Sequence, residues 1–306
     1  MGTVSLKSGL SPALWGAGIG LVFVVMIHVF TSGSGGLIQP ISGSLFEFIG
    51  HYFGFFFTQA QGLIILIGTI VVYIVATISV QGTSGDESTV TAVTRGMLIG
   101  IGSAMNGVLA YNIYGGWFGS TVGLIIALVL FILGIIAVFS EVSQSGIYQG
   151  FIGWLSWLAP MSWPVVGVGL VFLVLSLVLG LVGLAGVDLL KIGGESGADA
   201  SIAGKIADAN WSTGTFFLIG GLISDINFQK TAFDMGNIGF IHRGTDEDHS
   251  EHESGHNLNL FVLGWIVHYI GALDENLIGF KAQALTELLA ESHATRGGRP
   301  KLDMWS

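Results

Sequence analysis

The chain has 306 residues, 51% of them hydrophobic and 10% charged, and a mean hydropathy of +0.76 that excludes an ordinary soluble domain. Ten Lys and Arg stand against 20 Asp and Glu for a net charge of −10, with no basic cluster, which excludes a nucleic-acid binder working by phosphate neutralisation. The absence of cysteine removes disulfides, thiol nucleophiles and thiolate metal sites, so any metal must sit on His, Asp or Glu.

Charge is distributed unevenly. Up to Val187 the only charged side chains are Lys7, Glu47, Asp86, Glu87, Arg95 and Glu141; the other 24 of the 30 follow it, as do six of the eight histidines. The pattern predicts a membrane domain over 1–190 and a water-exposed, membrane-adjacent domain over 191–306. Five stretches, 13–30, 62–80, 96–114, 121–139 and 163–190, are apolar enough to cross about 30 Å of hydrocarbon as helix. A sixth, 37–57, carries Pro40, Glu47, His51 and a dense aromatic run, and reads as interfacial or re-entrant, with a full span as the lesser option. The Trp-rich, uncharged stretch 147–163 also reads as interfacial. The first span is too long for a removable signal sequence and is expected to stay as an anchor.

Lys7 and Arg95 agree on a cytoplasmic N-terminus. Five spans then place the tail outside, and six reverse it. Gly96 and Gly100, and the tight series Gly16, Gly18 and Gly20, Gly167 and Gly169, and Gly180, Gly183 and Gly186, are spaced for close helix approach in lipid, so the spans are expected to pack as an α-helical bundle within one chain or between copies. His28 and His51 read as helix-end or bundle-contact residues rather than haem ligands, and no ladder of charges supports an ion pathway.

In the tail, a polar connector over 193–209 leads to β-branched and aromatic runs at 213–223 and 236–242, which predict two or three strands. The second, Met235 to His242, fits an edge strand that binds an extended substrate backbone, and equally an ordinary sheet strand. An acidic turn follows, with Asp246, Asp248 and Ser250 as candidate helix caps.

Next comes His252-Glu253-Ser254-Gly255-His256, an HExxH motif. On a helix, histidines four apart share one face and reach one Zn²⁺, while Glu253 between them is placed to act as general base on water. A third ligand is offered by Glu287 in a helical stretch over 281–293, where Glu291, four residues on, can take the outer N–H of a ligating histidine. Glu275 and His249 are alternatives. His249, His252 and His256 fit a structural three-histidine site, but one that leaves Glu253 idle. His268 and Tyr269 are candidate donors to a developing oxyanion, although ordinary packing fits each of them as well. The apolar segment 258–273 is either the buried central helix of the tail or a segment dipping into the membrane, and both readings put the metal near the lipid.

On His252 to His256 and Glu287 to Glu291 the tail resembles the gluzincin metallopeptidases, whose HExxH helix is followed by a second helix with an ExxAD-type motif; Glu291 stands where aspartate is usual. The resemblance implies an α+β zincin-like tail, zinc held by His252, His256 and Glu287, and Glu253 activating water against a peptide carbonyl. With the bundle, it is similar to the membrane-bound gluzincins of the heat-shock and prenyl-protein protease type. The expected partners are the lipid bilayer and a protein or peptide substrate, with no nucleic acid, and further copies or subunits of a membrane complex. The alternative is a non-catalytic structural or assembly subunit of a larger membrane complex that retains a peptidase-like tail.

Overall fold

A computed structural model of the chain describes residues 6–41, 43–82, 88–143, 145–184, 205–211, 213–225, 232–242, 250–275 and 285–293. All five apolar stretches contain helix: α1 (Leu6–Phe30), α3 (Ala60–Gly82), α4 (Thr89–Phe118), α5 (Ser120–Ile136) and α8 (Trp163–Leu184). Among the described residues, four segments are long and apolar enough to cross a membrane: Ser11–Phe30, Ala60–Gly82, Thr89–Phe118 and Pro160–Val178. α5 has 17 residues, which at 1.5 Å per residue is about 25 Å and short of the hydrocarbon thickness.

The aromatic stretch before α3 forms α2 (Leu45–Thr58), too short to cross. Its one carboxylate is a cap: Ser44 N donates to Glu47 Oε2 at 2.8 Å while Glu47 N donates to Ser44 Oγ at 3.3 Å. The two bundle histidines are tied to backbone, His28 Nδ1 accepting from Leu37 N at 3.0 Å and His51 Nδ1 lying 2.8 Å from Glu47 O. The second aromatic stretch forms the short helices α6 (Ser140–Ser143) and α7 (Gly146–Ser156) and a 3₁₀ turn, Pro160–Ser162.

The bundle is organised around α4, most of which is buried. Its seam with α1 is made of small residues. A Cβ built on Gly96 would stand 2.0 Å from the Ala13 carbonyl, and one on Gly16 would stand 2.0 Å from that of Val93. Gly100 and Gly20 repeat the contact one turn along, so backbone lies on backbone as the glycine spacing predicts.

The tail holds a four-stranded sheet rather than two or three strands: β1 (Lys205–Asn210), β2 (Thr215–Ile219), β3 (Ala232–Asp234) and β4 (Ile238–Ile241), in the order β1-β2-β4-β3. β2 and β4 are parallel, and the other pairs are antiparallel. β1 lies at the end of the segment read as a connector. Its sequence, KIADAN, lacks the β-branched run that marks a strand, and pairing with β2 makes it one. The strand before the motif, β4, is interior. It is hydrogen-bonded on both sides and buried along its length, so it is not the edge; near the motif that place belongs to β3.

Two further helices complete the described tail besides the single turn α9 (Gly221–Asp225): α10 (Ser250–Leu273) and α11 (Leu285–His293). The sheet and α10 both pack on the bundle. Phe240 of β4 meets Phe172 of α8, ring centroids 6.0 Å apart, and one hydrophobic cluster runs from Ala13 through α4 to Phe261, Ile266 and Leu289.

Candidate metal centre

α10 carries the motif on its first half and is broken at Gly264, whose φ of 83° and ψ of 174° suit glycine alone. The break redirects the chain, so that His268 on the second half stands beside His256, ring centroids 6.2 Å apart. Asn106 of α4 holds the bend in place. Its Nδ2 donates to Phe261 O at 2.6 Å and its Oδ1 accepts from Met161 N at 3.0 Å. Beside it Gly102 leaves room for the Val262 carbonyl, which a Cβ would approach to 2.1 Å.

Three contacts bring the other elements to this helix. Asn257 Nδ2 donates to Thr215 Oγ1 of β2 at 2.6 Å, and Asn259 Nδ2 donates to Thr286 O of α11 at 3.1 Å. Gly255, inside the motif, has the Ala290 carbonyl against it, where a Cβ would come within 2.4 Å. α11 is thereby pressed onto the motif with Glu287 facing the histidines.

The result is a buried convergence of His252, His256 and Glu287, whose ligand atoms all lie within 4.8 Å of one another. His252 Nε2 is 3.0 Å from Glu287 Oε2, and His256 Nε2 is 3.4 Å from Glu287 Oε1. The rings stand nearly perpendicular, at 88°. Metal–ligand bonds of 2.0–2.1 Å at the tetrahedral angle give ligand-to-ligand edges of about 3.3 Å, so these spacings fit a zinc ion with two imidazoles and one carboxylate.

Asp234, at the end of β3, was not singled out by sequence, because an Asp two residues before a Gly reads as a turn. The Gly236 N–H does donate to it at 3.2 Å. Its carboxylate also faces two imidazoles, 4.0 Å from His256 Nδ1 and 4.0 Å from His268 Nδ1. It therefore sits behind the ring that offers Nε2 to Glu287, the place foreseen for Glu291, whose side chain lies outside the described residues. Asp234, His256 and His268 form a second group with metal-ligand spacing, on the opposite side of the His256 ring.

The electrostatics favour a cation. Burial, and then the charges of Glu253 and Glu287, hold the Asp234 carboxyl well above the usual carboxylate range. Glu253 is itself 4% exposed, its Cβ near Gly239 of β4. Three carboxylates in one buried pocket repel one another, and a divalent ion among them offsets that cost. His268 is pushed down to about 3 by burial and then by His256, against the pull of Glu287, so it is neutral at working pH.

The remaining expected residues lie elsewhere. The Tyr269 hydroxyl donates to Pro164 O at 3.3 Å, at the start of α8. Glu275 belongs to neither group with metal-ligand spacing among the described residues. His249, Asp246 and Asp248 lie outside the described residues. No protein-family model, curated protein or solved structure matches this chain.

Proposed function

We propose that this chain is a multi-pass membrane protein and a zinc-dependent hydrolase, most simply a peptidase of the gluzincin kind. One observation carries the reading: two imidazole Nε2 atoms on one helix face meet the two oxygens of a single carboxylate from another helix, at 3.0 and 3.4 Å. When bound, zinc supplies Lewis acidity that brings the pKa of water to about 7 and polarises a carbonyl.

The chain's own residues do the rest. His252, His256 and Glu287 form the cradle, and Asp234 faces the outer nitrogen of His256 at 4.0 Å, on the side where a carboxylate can bias the ring's orientation. Glu253, between the ligands on α10, takes a proton from the attacking water and passes it to the leaving amine. Water oxygen joins the carbonyl carbon, the C–N bond breaks, and the products are a carboxylate and an amine. His268 keeps a neutral imidazole, buried beside His256.

Metal analysis with an activity assay tests this. Purified protein is expected to hold one zinc per chain, and Glu253→Gln to retain it while losing activity by about 10²–10⁴-fold. A folded protein without zinc overturns the proposal. Zinc retained without turnover in the parent chain favours an assembly subunit instead.

A further inference from the structure

The long helices themselves mark the depth of the candidate centre. Gly169 is the tenth of the 19 residues in Pro160–Val178, its middle. The Met235 carbonyl packs against it, 2.3 Å from where a Cβ would stand, and Met235 follows Asp234. Gly102 and Asn106, fourteenth and eighteenth of the 30 residues in Thr89–Phe118, hold the Val262 and Phe261 carbonyls of α10. Tyr73, fourteenth of the 23 residues in Ala60–Gly82, donates to Asp274 just beyond α10 at 2.9 Å. Three helices of membrane length thus touch the elements of the site within about one turn of their midpoints.

His256 precedes Val262 by six residues, a displacement along the membrane normal of at most about 9 Å at helical rise. Half the hydrocarbon thickness is about 15 Å, so the centre lies inside the slab and not above it. Carboxylates and strand edges exist at that depth only where they are enclosed by protein or line a water-filled cavity. The strand nearest the site is β3, which pairs with β4 and ends at Asp234, next to the histidines. A polypeptide that leaves lipid as a helix and unwinds at that depth is shielded only where protein encloses it.

We infer that the substrate class of this centre is the membrane-embedded apolar segment of another protein, cut within the hydrocarbon layer. The inference rests on the peptidase reading above. It requires lateral entry of the segment from lipid and a supply of water to Glu253.

Two measurements test it. The zinc-loaded chain, reconstituted in phosphatidylcholine vesicles, is given a single-span Leu/Ala peptide with a central Gly-Ala pair and Lys flanks or, separately, unfolded casein. The span peptide is expected to be cut in its middle third, with casein at least tenfold slower and Glu253→Gln inactive on both. Casein cut preferentially, or the span peptide cut only in its flanks, overturns the substrate class and leaves the peptidase reading standing. Neither being cut overturns the peptidase reading and the substrate class with it.

Depth is read independently of activity, and the cysteine-free chain makes labelling simple. Nitroxides go on Leu273→Cys, beside Asp274, on Val171→Cys of α8 as the midplane standard and on Trp211→Cys as a peripheral reference, all at exposed positions. The Leu273 label is expected to match the Val171 label, with oxygen relaxing it at least tenfold more than a water-soluble nickel complex. A Leu273 label as open to nickel as one in water overturns the intramembrane depth whatever the activity.

Discussion

α4 makes two seams of the same kind with two very different partners. Against α1, Gly96 and Gly100 receive the carbonyls of Ala13 and Ala17; against α10, Gly102 receives that of Val262. α1 is apolar, whereas α10 carries the imidazoles His252 and His256 of the candidate centre and Glu253 between them. The difference lies in the additional polar grip. Asn106 adds side-chain hydrogen bonds to Phe261 O and from Met161 N beside the α10 seam. α10 is therefore seated as a member of the bundle, and the site is built on the bundle rather than on a domain docked beside it.

The largest expected effect comes from forcing the second seam open. Gly102→Leu places a side chain where the Val262 carbonyl lies, and overpacking against backbone is expected to cost about 3 kcal/mol or more. Zinc content and thermal stability in detergent should fall together. Zinc lost from an otherwise unchanged bundle would instead mean that α10 is merely docked. Gly18→Leu, at a position open for 4 Å around, is the control and should leave both unchanged.

Asn106→Leu is next, since it removes two buried hydrogen bonds worth about 1–3 kcal/mol each and leaves the α1 seam intact. Chemical unfolding should show the loss. Gly264→Ala follows, at about 1–3 kcal/mol for a side chain in a glycine-only conformation, the nearby Met161 side chain being able to move aside.

The same seams show what sequence can and cannot reveal. The Gly96 and Gly100 spacing announces a close helix approach, because small residues at helical intervals suit backbone contact in lipid, but it does not name α1 as the partner. His252, His256 and Glu287 stand out because metal ligands must share a face at fixed spacing. Gly102 and Asn106 look like any small residue and any amide in a helix, since their partners are backbone groups 55 or more residues away. Asp234 is hidden for a similar reason: its local role in a turn is legible, whereas its place behind His256 exists only once β3 pairs with β4 and α10 packs beside them. β1 becomes a strand through pairing rather than composition. The depth of the centre follows from which turn of each long helix is touched, and a hydropathy profile does not contain that.

Asp234→Asn keeps the shape and removes the charge facing His256 and His268. If the carboxylate orients the ligating ring, zinc affinity should fall by about 10–100-fold, read by competition with a chelator, with thermal stability of the zinc-loaded protein nearly unchanged. Asp234→Glu, which restores the charge on a longer arm, should recover part of the affinity. A purely structural role for Asp234 would move stability first and affinity little.

The smallest effect is expected from Tyr269→Phe, and it separates two uses of one side chain. A hydroxyl that stabilises a developing oxyanion is worth about 10²–10³ in turnover. Here the Tyr269 hydroxyl donates to Pro164 O at 3.3 Å, a long bond that ties the second half of α10 to the start of α8. Its removal should cost about 0.5–1.5 kcal/mol of stability and leave turnover on the span peptide within about twofold. His268, buried and neutral beside Asp234, is then the other expected donor at the site. A hundredfold drop in turnover for Tyr269→Phe at unchanged zinc content would mean that the hydroxyl leaves Pro164 during the reaction, and that the α8 end of the seam moves with it.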